Sequence, residues 1–276
     1  MADSEMHDDA HQMTLTSRIT DSLLNRRLLF FAAELILIVA GVLIALAIDQ
    51  WVSDARDRQT EELYLQLLAR DLDEISQRLD DQLVFEQGMV DTSARAYAAL
   101  SAADPRVNKD EIGRLLGSLG TRKTLSLTSA TYNEMVDSGQ LQLIESSDLR
   151  DSLIRYFTRM ELVERITDKN NAMFVDDIYN AFLVRAGITV RISRAEYITA
   201  LSRAGEILTQ QFGTDVVYPE DRVLSQAMDS DSWNDIRRNL ILRARIAAVG
   251  QANSEETLVL TGEIADAIAS ELQRRQ

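Results

Sequence analysis

The sequence predicts an all-α protein: one N-terminal transmembrane helix continuing into an elongated extracytoplasmic helical bundle. Three observations predict it. Residues 28–48, LLFFAAELILIVAGVLIALAI, form an almost unbroken apolar run. The 276 residues include only 2 Pro and 11 Gly, so helix breakers are scarce. Beyond the run, apolar residues recur at steps of three and four, the spacing of one helix face. The chain therefore divides into a polar cytoplasmic tail (1–27) expected to lack structure, a membrane helix (28–48) and a helical extracytoplasmic domain (49–276).

A helix of about 21 residues rising 1.5 Å per residue spans roughly 30 Å, the thickness of a bilayer's hydrocarbon core. Arg26 and Arg27 precede the run, and Asp49 and Trp51 follow it. Basic residues favour the cytoplasmic side and Trp favours a membrane interface, so these three residues are expected to anchor the two ends. The expected location is the bacterial inner membrane, with the N-terminus cytoplasmic and the main domain periplasmic. A cleaved signal peptide is the competing reading, because Ala45-Leu46-Ala47 has the A-x-A form. The long acidic lead and Glu34 inside the run weigh against it.

Glu34 is the most informative residue of the run. An ionised carboxylate in hydrocarbon costs several kcal/mol, so it needs a proton, a hydrogen-bonding partner or nearby water. Glu34, Ile38, Gly41 and Ala45 share one stripe, and Gly41 with Ala45 lets a second helix approach closely. One reading is a helix–helix contact sealed by Glu34, with another copy of the chain or another membrane subunit. The other is a carboxyl reached by water at the membrane edge.

After the membrane, Leu68, Leu72, Ile75, Leu79, Gln82, Glu86, Met89, Ser93, Ala96 and Leu100 form one stripe, apolar at both ends and polar in the middle. Asp71, Asp73, Asp80 and Asp81 are expected on the solvated outer face, with a divalent-cation site as the alternative. Asp104-Pro105 stops this helix. A short helix is expected around 109–119. Thr131 and Glu134 have capping-box spacing, with Gly139 as a left-handed stop. Ser146 and Ser147 cap a helix from about 148 to 185, whose buried stripe reads Leu149, Leu153, Tyr156, Met160, Val163, Ile166, Asn170, Met173 and Ile178. Ser193 and Glu196 open a shorter helix ending near Gly205. Residues 213–221 read as a loop. A last helix runs from about Trp233 toward Leu272, with a possible interruption at Gly250.

Composition removes several functions. The net charge of -15 opposes binding to nucleic-acid phosphates. There is no cysteine, and the two histidines, His7 and His11, lie in the N-terminal tail. Thiolate chemistry, Ser-His-Asp triads and His-rich or Cys-rich metal centres within the domain are thereby excluded. Met6, His7, Asp8, Asp9 and His11 read as solubilising tail residues. Gly113, Gly117 and Gly120 read as a small helix face, because no phosphate-loop lysine follows them. No catalytic, cofactor-binding or metal-ligating residue is nominated. Outside the membrane, Tyr132, Asn133 and Glu134 are the candidate contact. The expectation is that Tyr132 packs on the following helix and Glu134 closes the cap.

Two stretches resemble a family of bacterial single-pass membrane proteins of unknown function. Its membrane segment has the form GE-apolar6-G-[IV]-L-I-A-L-x-I-[ND]-x-W, matched here by Glu34, Gly41 to Leu46, Ile48, Asp49 and Trp51. Ala33 replaces the first Gly. The second stretch is Thr131 to Ile144, with Leu149-Arg150 and Tyr156-Phe157 beyond it. The likeness covers roughly residues 28–165 and implies a fold and a membrane location without an activity.

The expected function is that of a non-enzymatic structural or interaction protein, an accessory subunit associating through the Glu34 stripe. Its partners would be the lipid bilayer and a second copy or other membrane subunits. One alternative is an ion-coupled transducer that uses Glu34 to move protons. Another is a helical ligand-sensing domain working with a separate transducer.

Overall fold

The computed structural model describes residues 8–188, 195–213 and 223–274. Among these residues all regular structure is helical. Helix α1 spans Asp8–Leu100. Its bounds begin inside the stretch expected to be an unstructured tail; no Gly or Pro precedes Gly41 to stop it. The chain divides into two compact units, Met1–Glu61 and Glu62–Gln276. The helices α2 (Lys109–Ser118), α3 (Ala130–Asp137), α4 (Ser147–Asn170), α5 (Ala181–Ala186), α6 (Ala195–Phe212) and α7 (Asp231–Gln273) belong to the second unit.

In that second unit, the stripe expected on α1 is the buried one. Leu68, Leu72, Ile75, Leu79, Gln82, Glu86, Ser93, Ala96 and Leu100 are all buried. The apolar ends join two separate clusters. One gathers Leu65 to Leu79 with Met135, Leu153, Met160 and Ile268. The other gathers Ala96 and Leu100 with Leu116, Phe182, Trp233 and Leu240. Each fully buried Leu or Ile contributes roughly 1.5–3 kcal/mol of transfer free energy, so these clusters are what hold the helices together.

Helix boundaries follow local chemistry where that chemistry is strong. Asp104 accepts from the Arg106 N–H at 3.1 Å and caps a 3-10 turn, Pro105–Asn108. The Ser146 hydroxyl caps α4, accepting from the Leu149 N–H at 3.3 Å. Gly139 follows α3 at φ 73°, the left-handed conformation that suits a residue without a Cβ.

Four expectations need correction. The N-cap of α3 is Ser129, not Thr131, and Glu134 does not close it. α7 passes through Gly250 without a break, because the backbone there is used for close packing rather than for a turn. α6 continues past Gly205 to Phe212 and stops at Gly213, φ 84°, whose N–H donates to the Thr209 carbonyl at 2.9 Å. Ser193, expected to cap α6, lies outside the described residues, as do residues 214–221 of the expected loop.

The fourth correction concerns the buried face after Val163. Residues Asn171–Asn180 form a π-helix between α4 and α5. Asn171, Val175 and Tyr179 are buried, while Ile166, Met173 and Ile178, expected inside, are 41%, 39% and 37% exposed. The buried residues step by four with no step of three. That pattern fits a turn wider than the 3.6 residues of an α-helix, and it rotates the inward face away from the expected stripe.

Between α2 and α3, residues 121–129 take no regular secondary structure and alternate in burial. Leu125, Leu127 and Ser129 point in, and Thr124, Ser126 and Thr128 point out. Among the described residues no strand pairs with this strap, and several of its polar backbone groups are met by side chains of α1, α4, the π-helical segment and α7. Arg243 of α7 donates to the carbonyls of Leu119 (Nε, 2.9 Å) and Thr121 (Nη2, 3.2 Å). Asn171 donates to the Lys123 carbonyl at 3.2 Å, and Arg78 to that of Ser126 at 3.4 Å. Glu164 accepts from the Leu127 N–H. Asp71 accepts from the Ser129 hydroxyl at 2.7 Å and the Thr131 N–H at 3.1 Å.

Candidate functional site

In the first unit, the α1 segment from Glu34 onward meets the length and composition needed to cross a membrane. Its most apolar 18-residue window has mean hydropathy 2.4, and 0% of that window is buried. Leu35, Leu37, Ile38, Val42, Leu43 and Leu46 are all exposed. An uncovered apolar surface of this length in water would be strongly unfavourable, so it calls for lipid or another protein around it.

Glu34, Ile38, Gly41 and Ala45 are each exposed on this segment. Their spacing puts them on one side of the helix. A Cβ added at Gly41 would meet nothing within 4 Å, so the groove at that position is open. Trp51 is 72% exposed at the far end. Arg26 and Arg27 lie on α1, but their side chains are outside the described residues.

In the second unit, Tyr132, Asn133 and Glu134 are brought together on α3 but serve different purposes. Tyr132 stacks on Phe157 of α4, with ring centroids 4.1 Å apart and 23° between the planes. Burial pushes its hydroxyl above the ordinary tyrosine range. The expected packing on the following helix is therefore present. Glu134 instead accepts from the Tyr64 hydroxyl at 3.2 Å and ties α3 to α1. Asn133 is exposed and lines a cleft of about 320 Å³ with Thr128, Tyr132, Phe157, Glu161 and Glu164.

The cleft's carboxylates are engaged. Glu161 pairs with Arg165 at 3.1 Å, and Glu164 holds the Leu127 N–H. Among the described residues, no group of three or more His, Asp or Glu side chains is placed to hold a metal ion. The cleft can offer hydrogen bonds and an aromatic floor.

Sequence reasoning missed the two polar centres that organise this unit. Asp71, expected on the solvated acidic face, is buried and serves α3. Burial raises its pKa, but the hydrogen bonds from Ser129 and Thr131 outweigh that, and the carboxyl ends below its ordinary range. The other centre lies between the two apolar clusters. Gln82 donates to Glu86 at 2.8 Å, both are buried, and Arg243 is buried on α7. Burial pushes the Glu86 carboxyl upward, with Arg243 and Gln82 opposing. The signal was available as Gln82 and Glu86 interrupting the apolar stripe, with Ser93 beyond them.

No protein-family model, curated protein or solved structure matches this chain. The functional reading therefore rests on the residues themselves.

Proposed function

We propose that this chain is a membrane-anchored interaction protein: an accessory subunit whose α1 segment spans a bilayer and associates with a neighbouring helix along Glu34, Ile38, Gly41 and Ala45. The observation that carries the reading is the wholly uncovered apolar window of α1. The bundle is consistent with a structural role, because several of its buried polar side chains bind its own backbone. Arg243, Asn171 and Asp71 are spent in this way. In this reading the membrane is the bacterial inner membrane, Arg26 and Arg27 hold the N-terminus in the cytoplasm, and the bundle is periplasmic. The likeness to single-pass proteins with the GE-x6-G segment belongs to the same reading.

Photo-cross-linking in intact membranes tests the contact. A photoreactive residue is placed singly at each position from 33 to 48, and the adducts are weighed. The expected profile is periodic, with maxima at 34, 38, 41 and 45, and the adduct mass identifies a second copy or another subunit. A profile that is flat, or that peaks on the opposite face, contradicts the contact. Glu34→Gln should preserve the pattern, because an amide still hydrogen-bonds within the helix pair.

A further inference from the structure

The second unit holds a titratable group that plays no part in the proposed membrane contact. Glu86 lies on α1 between the two apolar clusters, 6% exposed, with Gln82 one turn before it, 1% exposed. Gln82 Nε2 donates to Glu86 Oε1 at 2.8 Å. The other oxygen of each side chain, Gln82 Oε1 and Glu86 Oε2, is buried with no hydrogen-bond partner. A carboxylate oxygen and an amide oxygen can only accept. The pair is thus one hydrogen short, and two unsatisfied buried acceptors are costly.

We propose that Glu86 is a proton-binding site: its Oε2 carries a proton within the folded bundle and donates it to Gln82 Oε1, closing a carboxyl–amide ring of two hydrogen bonds. A single proton satisfies both orphaned atoms and removes a negative charge from a site with almost no access to water. The opposite wall makes the same demand. A Cβ on Gly250 of α7 would lie 2.8 Å from Glu86 Cδ, so bare backbone rests against the carboxyl and leaves no layer for solvent on that side.

The charges around the site do not reverse this. Arg243 of α7 faces Glu86 and favours its ionised form, but its guanidinium is committed to the carbonyls of Leu119 and Thr121. Tyr179 of the π-helical segment faces Arg243, while its hydroxyl donates to the Leu116 carbonyl at 3.1 Å. Burial is the larger influence on Glu86 and acts toward the neutral form.

The consequence is a bundle that responds to pH. A buried acid whose folded-state pKa lies above its unfolded value contributes stability below the unfolded value and loses it as pH rises through the folded one. Loss of the proton places a charge between α1 and α7, midway between the two clusters, and loosens that layer.

The test uses the full-length chain in mild detergent. Difference infrared spectra taken as pH is raised should show the C=O stretch of a neutral carboxyl persisting beyond the ordinary glutamate range, and Glu86→Gln should remove it. Gln82→Met should keep the band but shift its frequency, because the ring partner is gone. The urea midpoint of the wild type should fall as pH rises above the ordinary glutamate range and through the raised folded-state value, and that fall should be absent in Glu86→Gln. A spectrum in which Glu86→Gln removes no neutral-carboxyl band overturns the proton site. So do superimposable pH profiles of the two proteins. A band unmoved by Gln82→Met overturns the ring.

Discussion

Arg243→Ala is expected to destabilise the second unit by on the order of 4 kcal/mol, the largest effect of any single substitution considered. Arg243 is 2% exposed, and its guanidinium donates to two carbonyls at the end of α2 and the start of the strap. Truncation strands the Leu119 and Thr121 carbonyls in the interior and opens a cavity beside Tyr179. Arg243→Lys should recover only part of the loss, because one ammonium cannot reproduce the fork that reaches both carbonyls. Urea unfolding followed by helical circular dichroism reads the loss, and hydrogen exchange should show the strap opening first. A loss below about 1 kcal/mol, typical of a surface residue, would mean that the strap is held by other means.

Asp71→Ala should cost about 3 kcal/mol. It removes two charge-assisted hydrogen bonds and leaves the Thr131 N–H buried without its acceptor. The pH dependence has a definite sign. The folded-state carboxyl lies below its ordinary range, so its stabilisation is present above that range and is lost as pH falls through the folded value. Wild type should therefore weaken in acid more steeply than Asp71→Ala. This trend is opposite to that of Glu86, so the two contributions separate by pH. Arg70, 3.8 Å from Asp71 and mostly exposed, should matter little when replaced.

The long helices were legible because their signals are local and repeated. The α1 stripe from Leu68 to Leu100 appears in the sequence at 3.6-residue spacing, and its apolar members Leu68, Leu72, Ile75 and Leu79 are buried as expected. Gly139, Ser146 and Pro105 also act through their own backbone and immediate neighbours, so their roles were readable. The cap of α3 was not. Ser129 and Thr131 both have suitable chemistry, and the choice is made by Asp71, a residue 58 positions away from Ser129. The π-helical segment was missed because each step of four is compatible with an α-helix, and only their unbroken succession marks the wider turn. Gly250 looked like an interruption because its purpose lies on another helix, in the space it leaves for Glu86. The Tyr132 cleft shows the same division: its aromatic contact could be anticipated, whereas the ties from Glu134 and Glu164 depend on tertiary packing.

The central claim is that the apolar window of α1 resides permanently in lipid, and alkaline carbonate extraction of native membranes tests it most directly. The account predicts that the full-length chain, with its N-terminal segment intact by mass, stays in the membrane pellet and is released only by detergent. Recovery in the carbonate supernatant of a chain beginning at Ile48 would contradict it.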